Sequence, residues 1–266
     1  MLSKSKGFVH VSEVNPPELP NTDHLLLEGA WGNVLITDNV FGKIRVSPYA
    51  FAARITHDIP SVSPTIVVST RDRNVLAIES EVRGALGNGV TSFLVVVGDS
   101  MPAIDHLADH LEVVRHLCNL QSRLPEFEVG MPTRFQAWQK RRAIAAGAQF
   151  LVAGPILDPA TVTEQIGMLE LQPEDPPVYL MVIPPFSEKW IDQMESLGAV
   201  PATASLRERI SSADSDEERR ETAWLVSRQV AHEAKRAGCA GAILMGLRFD
   251  TIVDEAARAW SPSALA

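Results

Sequence analysis

Cysteine is scarce: 266 residues contain two, Cys118 and Cys239, far apart in sequence, in helix-like surroundings and without a Cys-x-x-Cys. That excludes a disulfide scaffold and a structural zinc site, and it points to a reduced, cytoplasmic protein. Positive charge is also in deficit. The 24 Lys and Arg against 33 Asp and Glu give a formal net charge of -9, and the pI is near 5.3. A nucleic-acid surface draws on clustered Lys and Arg, so no nucleic acid is expected as partner. The main basic run, Lys140-Arg141-Arg142, reads as the solvated face of a helix. Long apolar runs are missing as well. The basic start Met1-Leu-Ser-Lys-Ser-Lys6 is followed by His10, Ser12, Glu13 and Asn15, which break up a signal-peptide core. No membrane span is readable.

Common signatures of nucleotide and nucleophilic chemistry are absent too. No Gly-rich phosphate loop follows a strand, since Gly84 to Gly89 falls at a helix C-terminus. No nucleophile elbow appears. The seven histidines fall mostly in helices or loops. His106 and His110 have i, i+4 spacing but no third ligand, so no metal site is expected. Tandem repeats and low-complexity segments are lacking.

What the chain does have is apolar, β-branched runs that end in polar residues and alternate with helical patterns. Two of them, Thr65 to Asp72 and Gly89 to Asp99, flank a helix-patterned segment as in a βαβ unit. Strands are expected at Phe8 to Val14, Asn33 to Asp38, Pro64 to Thr70, Ser92 to Asp99, Glu126 to Met131, Gln149 to Gly154, Val178 to Pro184 and Ala240 to Leu247. At 45% hydrophobic composition the chain can bury a full core. Eight β-then-α units at this length match a single-domain α/β (β/α)8 TIM barrel over 1–266. Helices are expected from Asp72, as cap, to Gly87, from Ala103 to Leu120, from Pro132 to Ala146, and from the Asp158-Pro159 start. Segment 17–31 is Pro-rich and yields one or two turns at most. Residues 199–218 read as a polar loop over the active face leading into an acidic helix N-terminus, and 256–266 as a frayed tail.

In such a barrel the carboxyl ends of the strands share one mouth, so residues far apart in sequence meet there. Glu13 sits late in the first strand among Val11, Val14 and Pro16, surroundings expected to raise its pKa and keep it a proton donor. Asp99 follows Gly98 in a tight turn at the rim. These two are the expected catalytic pair. Expected substrate contacts are Asp38, Asn39, Ser69, Thr70, Gly154 and Arg248; expected cofactor contacts are Arg71, Met131 and Arg142. Several have a plainer alternative: Glu13 in a merely structural role, Asp99 as a cap or turn residue, Asp72 as a cap, Asp38-Asn39 as a turn, Arg248 as a partner of Asp250 or Glu255.

With these tips placed, the chain resembles the methylenetetrahydrofolate reductase family, as a divergent member. Val11-Ser-Glu-Val-Asn-Pro-Pro17 is similar to that family's Ser-Phe-Glu-Phe-Phe-Pro-Pro, and Gly89 to Val97-Gly-Asp99 is similar to its run ending in Arg-Gly-Asp. Ala146-Gly-Ala-Gln-Phe150 to Asp158 is similar to its Ala-Gly-Ala-Asp-Phe segment. The likeness can be followed from about residue 8 to 250. It implies reduction of 5,10-methylenetetrahydrofolate to 5-methyltetrahydrofolate with NAD(P)H, Glu13 acting as general acid and Asp99 facing the pterin. The departures fall mostly on the flavin site. Val97 and Val67 stand where the family has Arg and His, Ala143 replaces a Lys, Gly154 a pterin-contacting Gln, and the stretch after strand five shortens to Met131-Pro-Thr-Arg-Phe135. This argues against FAD and for direct hydride transfer or different chemistry. The rival readings are a folate- or corrinoid-linked methyltransferase and a non-catalytic folate-binding or scaffold subunit, with a homo-oligomer or partner subunit left open.

Overall fold

Each expected run becomes a parallel strand: β1 (Val9–Val14), β2 (Asn33–Ile36), β3 (Ser63–Ser69), β4 (Ser92–Val96), β5 (Glu128–Thr133), β6 (Phe150–Ile156), β7 (Val178–Val182) and β8 (Gly241–Leu244). They pair in sequence order, and β8 returns to β1, so the sheet closes into a barrel. The computed structural model describes residues 1–99, 108–245 and 249–260. Around the barrel lie α1 (Pro48–Asp58), α2 (Val75–Gly87), α3 (His110–Leu120), α4 (Ala137–Ala146), α5 (Pro159–Gly167), α6 (Glu188–Ser196), α7 (Ala204–Ser211) and α8 (Asp216–Arg236). This is a (β/α)8 TIM barrel. No helix among the described residues is long and apolar enough to cross a membrane.

The strands are apolar on both faces because each face has its own core. Outward side chains such as Val34, Ile66, Phe93, Val129 and Leu151 pack with the helices. Inward ones, including Val11, Leu35, Leu94, Phe150, Val152, Tyr179 and Ile243, fill the barrel. Room for the two inner rings comes from glycine. A Cβ on Gly130 would lie 2.3 Å from the Phe150 ring, and one on Gly241 would lie 2.6 Å from that of Tyr179. The rings then meet edge to face at 6.4 Å, a favoured aromatic geometry.

The N-terminal end of the barrel is plugged by the 3-10 turn Leu2–Lys4. Leu2 is buried with the inner cluster. The Glu128 carboxylate accepts the Leu2 amide at 2.5 Å, the Ser3 amide at 2.7 Å and the Ser92 hydroxyl at 2.6 Å. The Tyr179 hydroxyl donates to the Leu2 carbonyl at 2.8 Å.

Several boundaries differ from expectation. Helix α2 is capped by Asn74, whose side chain accepts the Ala77 amide at 2.9 Å; Asp72 sits in the left-handed region at φ 57. Strand β5 continues through Pro132 to Thr133, so α4 begins at Ala137. Within 199–218 there is a helix, α7, where a loop was expected. Thr203 caps it, and Leu206 and Ile210 are buried against Leu157, Ile183 and Val226. Those two side chains contribute about 1.5–3 kcal/mol each, enough to order a segment that is otherwise polar. The C-terminal turns Phe249–Thr251 and Ala257–Ala259 lead to Trp260, which is buried and donates to the Ser227 hydroxyl at 3.1 Å. The expected tail is therefore packed as far as residue 260. Lys140 leaves the solvated face: it is buried, paired with Asp175 and bonded to the Glu170 carbonyl at 2.7 Å. The expected helix over 103–120 is described from His110, behind an Asp109 cap.

Candidate active site

Alternation along β1 puts Glu13 on the same inward side as Val9 and Val11. Val11 belongs to the barrel's inner cluster and Val9 packs against it. Glu13 itself is 8% exposed. Toward the strands' carboxyl ends, Val67, Val96 and Met181 of the inner face are partly exposed. We call this end of the barrel the funnel; Glu13 lies on its inner wall. Gly154 lies on the β6 wall at φ 122, and a Cβ there would come within 3.1 Å of the Met181 carbonyl. A glutamine could not replace this glycine without moving the backbone.

The rim over β2 to β4 is a knot of three loops. Arg71, 9% exposed, donates to the Asp99 carbonyl at 2.8 Å and to the Asn39 carbonyl at 3.4 Å, tying the ends of three strands together. The Asp99 carboxylate accepts the Phe41 amide at 2.5 Å. Asn39 and Phe41 are both left-handed, at φ 48 and 55. The Asn39 side chain accepts the Arg45 amide at 3.0 Å, and the Arg45 guanidinium reaches the Pro16 carbonyl at 3.0 Å.

Asp38 leaves the funnel. It follows β2 in the outward register of Ile36, and its carboxylate binds Arg73 at 2.5 Å, the Ser69 amide at 3.3 Å and the Asn39 side-chain amide at 3.0 Å. Arg73 also meets Glu81 of α2 at 3.1 Å. Burial holds the Glu81 carboxyl above its usual range against the pull of Arg73. Burial, with the Glu81 charge beside it, holds the Tyr49 phenol well above its own. Arg73, Tyr49 and Glu81 were not read from the sequence; the available signal was a second arginine two residues after Arg71.

The structure thus gathers Glu13, Asp38, Asn39, Ser69, Thr70, Arg71 and Asp99 at the ends of β1 to β4, with Gly154 on the wall. Thr70 is fully buried, and its hydroxyl has no hydrogen-bond partner among the described residues. Met131 and Arg142 are elsewhere. Met131 points outward into the core between barrel and helices, whereas Arg142 is exposed on α4, 5.7 Å over the Trp138 ring. Arg248 and His106 lie outside the described residues. Among the described residues there is no cluster of three His, Cys, Asp or Glu suited to a metal ion. A separate cleft of about 830 Å³ opens at the opposite end of the barrel, beside Phe8, His10, Trp31, Arg258 and Trp260. Burial, then the charge of Lys235, lowers the pKa of His10 there.

No protein-family model matches the chain, and no curated protein matches it in sequence. Solved structures do. An uncharacterised protein from Clostridium thermocellum that binds two copies of 5-methyl-5,6,7,8-tetrahydrofolic acid is similar with a TM-score of 0.63 and 12% identity, over 97% of each chain. 2,3-Dimethylmalate lyase, of the PEP mutase/isocitrate lyase superfamily, is similar with a TM-score of 0.55 and 15% identity, over 91% of this chain and 78% of that one. For oxaloacetate acetylhydrolase the values are 0.55 and 11%, over 98% and 84%. Likeness at these identities establishes a shared barrel fold, one that hosts many chemistries.

Proposed function

We propose that this barrel binds a reduced folate in its funnel and reduces 5,10-methylenetetrahydrofolate to 5-methyltetrahydrofolate with hydride from NAD(P)H and no resident flavin. The observation that carries the reading is Glu13, a mostly buried carboxyl on the inner wall of the barrel near the carboxyl end of β1. A carboxyl held there by its strand is placed to give up a proton to a substrate nitrogen. Proton donation from Glu13 to the bridge nitrogen opens the methylene bridge to an iminium. Hydride from the nicotinamide then adds to the iminium carbon, giving the methyl group and NAD(P)+, and solvent returns the proton to Glu13. The methyltetrahydrofolate-binding barrel from Clostridium thermocellum supports the substrate class. Val67 on the inner wall and Val97 at the rim support the lack of flavin, because they leave two polar contacts of the resembling family unfilled.

The test is spectroscopic and kinetic. Purified protein is expected to lack flavin absorbance and to oxidise NADH or NADPH at 340 nm when methylenetetrahydrofolate is present. Glu13→Gln is expected to lower kcat by a factor of about 10²–10⁴, the usual reach of general acid catalysis, and to change the Kd for 5-methyltetrahydrofolate by less than about threefold. A yellow protein would overturn the flavin-free chemistry, and absence of folate-dependent NAD(P)H oxidation would overturn the reductase.

A further inference from the structure

We infer that Asp99 acts on the bound ligand through Phe41: its carboxylate latches the β2–α1 loop, and the Phe41 ring is a wall on which a planar ring of the ligand rests. The inference builds on the folate reading and reassigns Asp99 within it, from a group that reads the pterin to a positioning residue.

The geometry is specific. Asp99 lies three residues past the end of β4, and its carboxylate oxygen is 2.5 Å from the amide of Phe41, five residues past the end of β2. The loop 39–46 therefore spans the end of β3, which lies between those strands. Its backbone is held from several sides. Asn39 bonds the Arg45 amide at 3.0 Å, Arg71 bonds the Asn39 carbonyl at 3.4 Å, and the Val46 amide donates to the Pro17 carbonyl at 2.9 Å.

Within this frame Phe41 takes φ 55, ψ 27, a region where a Cβ is disfavoured and where aromatic residues are rare. Strain of that kind persists only when the surroundings over-determine it, and it gathers at ligand clamps and active sites. The ring gains little burial in return, since Phe41 is 49% exposed. Beside the same latch, Val97 is 41% exposed. A single exposed apolar side chain on a loop calls for no explanation, but a strained, latched backbone that holds a ring in the open does. A preorganised flat surface is what a heteroaromatic ring needs for stacking. Two rings would enter this funnel, the pteridine and the nicotinamide, and the chemistry they share is a planar π face.

The experiment titrates 5-methyltetrahydrofolate and NADH separately, by calorimetry, into wild type, Phe41→Leu, Phe41→Trp, Asp99→Asn and Asp99→Ala. Phe41→Leu is expected to raise the Kd of one of the two ligands about fivefold, and which one identifies the ring that stacks. Phe41→Trp keeps a π face and should stay within about twofold of wild type. Asp99→Asn still offers an oxygen to the Phe41 amide and should stay within about threefold. Asp99→Ala should match Phe41→Leu, and the double variant should be no worse than either single one, because both changes act through the same ring. Trypsin gives an independent reading: cleavage after the exposed Lys43 should quicken in Asp99→Ala and not in Asp99→Asn. Unchanged Kd values for both ligands in Phe41→Leu overturn the wall and leave the folate reading intact. A collapse of folate binding in Asp99→Asn alone restores Asp99 as a direct pterin contact and overturns the latch. If wild type binds neither ligand, the folate reading and the wall fall together.

Discussion

Replacing Arg73 by alanine removes the shared partner of two acidic side chains beside the rim. Asp38 is 1% exposed at its side chain, Arg73 19% and Glu81 36%. Breaking a buried pair by deleting one member usually costs about 3–5 kcal/mol, because the other charge is left without compensation. Water reaches Arg73 along its exposed edge, and Asp38 keeps the Ser69 amide and the Asn39 side chain as donors. Both effects place the expected loss at the lower end, about 3 kcal/mol. For a domain of this size each kcal/mol moves the midpoint by roughly 2–4 °C, so Arg73→Ala should melt about 6–12 °C below wild type at pH 7. The double variant Arg73→Ala/Asp38→Ala removes the orphaned carboxylate as well. It should recover part of the loss, giving a coupling of about 2 kcal/mol in a double-mutant cycle. Urea titrations of the four proteins measure this, provided their m-values agree. Additive losses, or an Arg73→Ala change below about 1 kcal/mol, would refute the reasoning and make the Asp38–Arg73 contact a loose surface pair.

Three other outcomes are expected. Burial raises the Glu81 carboxyl above its ordinary value of 4.5, so the folded chain holds that proton more tightly than the unfolded one. The associated stability is present below about pH 4.5 and is lost as pH rises through the folded pKa. Glu81→Gln should therefore gain on wild type as pH rises above about 4.5 in paired melts, and a constant difference would contradict this. Burial pushes the Cys118 thiol to about 11 and the Cys239 thiol to about 12; native protein at pH 8 should resist iodoacetamide while denatured protein takes up two equivalents, and rapid native labelling would count against the packing described. Glu128→Ala strips the acceptor from two amides and a hydroxyl at the plugged end. It should cost about 3 kcal/mol in urea titrations, at about 1–3 kcal/mol for each orphaned donor less what water recovers when the turn swings out. Folate affinity at the far end should be unchanged.

Most of the barrel could be read in advance because its strands are short apolar runs closed by polar tips, and their number and spacing leave few topologies open. The Asp158-Pro159 helix start was equally plain: Asp158 caps α5 by accepting the Ala160 amide at 2.9 Å. The segment 199–218 was harder. Helix α7 has two buried apolar residues, Leu206 and Ile210, and its polar composition dominates any window drawn around them. Their i, i+4 spacing behind Thr203 was present in the sequence, but its value depends on Leu157 and Val226, which the chain supplies from far away. Lys140 was misplaced for a related reason. Its partner Asp175 lies 35 residues on in a loop, so the local pattern showed a basic run and nothing to bury it.

The site was legible as a set of residue types and not as a set of directions. Glu13, Asp38 and Asp99 look alike in the sequence, each a carboxylate late in a strand or just past its end. In an antiparallel sheet the alternation of apolar and polar residues would have sorted them. Here both faces of the strands are buried, so runs such as Ile66 to Val68 and Phe93 to Val96 are apolar throughout and give no sign of which parity points inward. Closure of the barrel decides it: Glu13 shares the inner register of Val11, while Asp38 follows Ile36 outward toward α1 and α2. Asp99 lies beyond any register. What it binds is a backbone amide 58 residues earlier, a group every residue except proline carries and no motif can mark. A resemblance transfers the identity of such a residue without its orientation. Of the three carboxylates, only Glu13 has its position in the funnel fixed by the strand that bears it, and so the chemistry proposed here is hung on Glu13, with the rim left to hold the ligand against it.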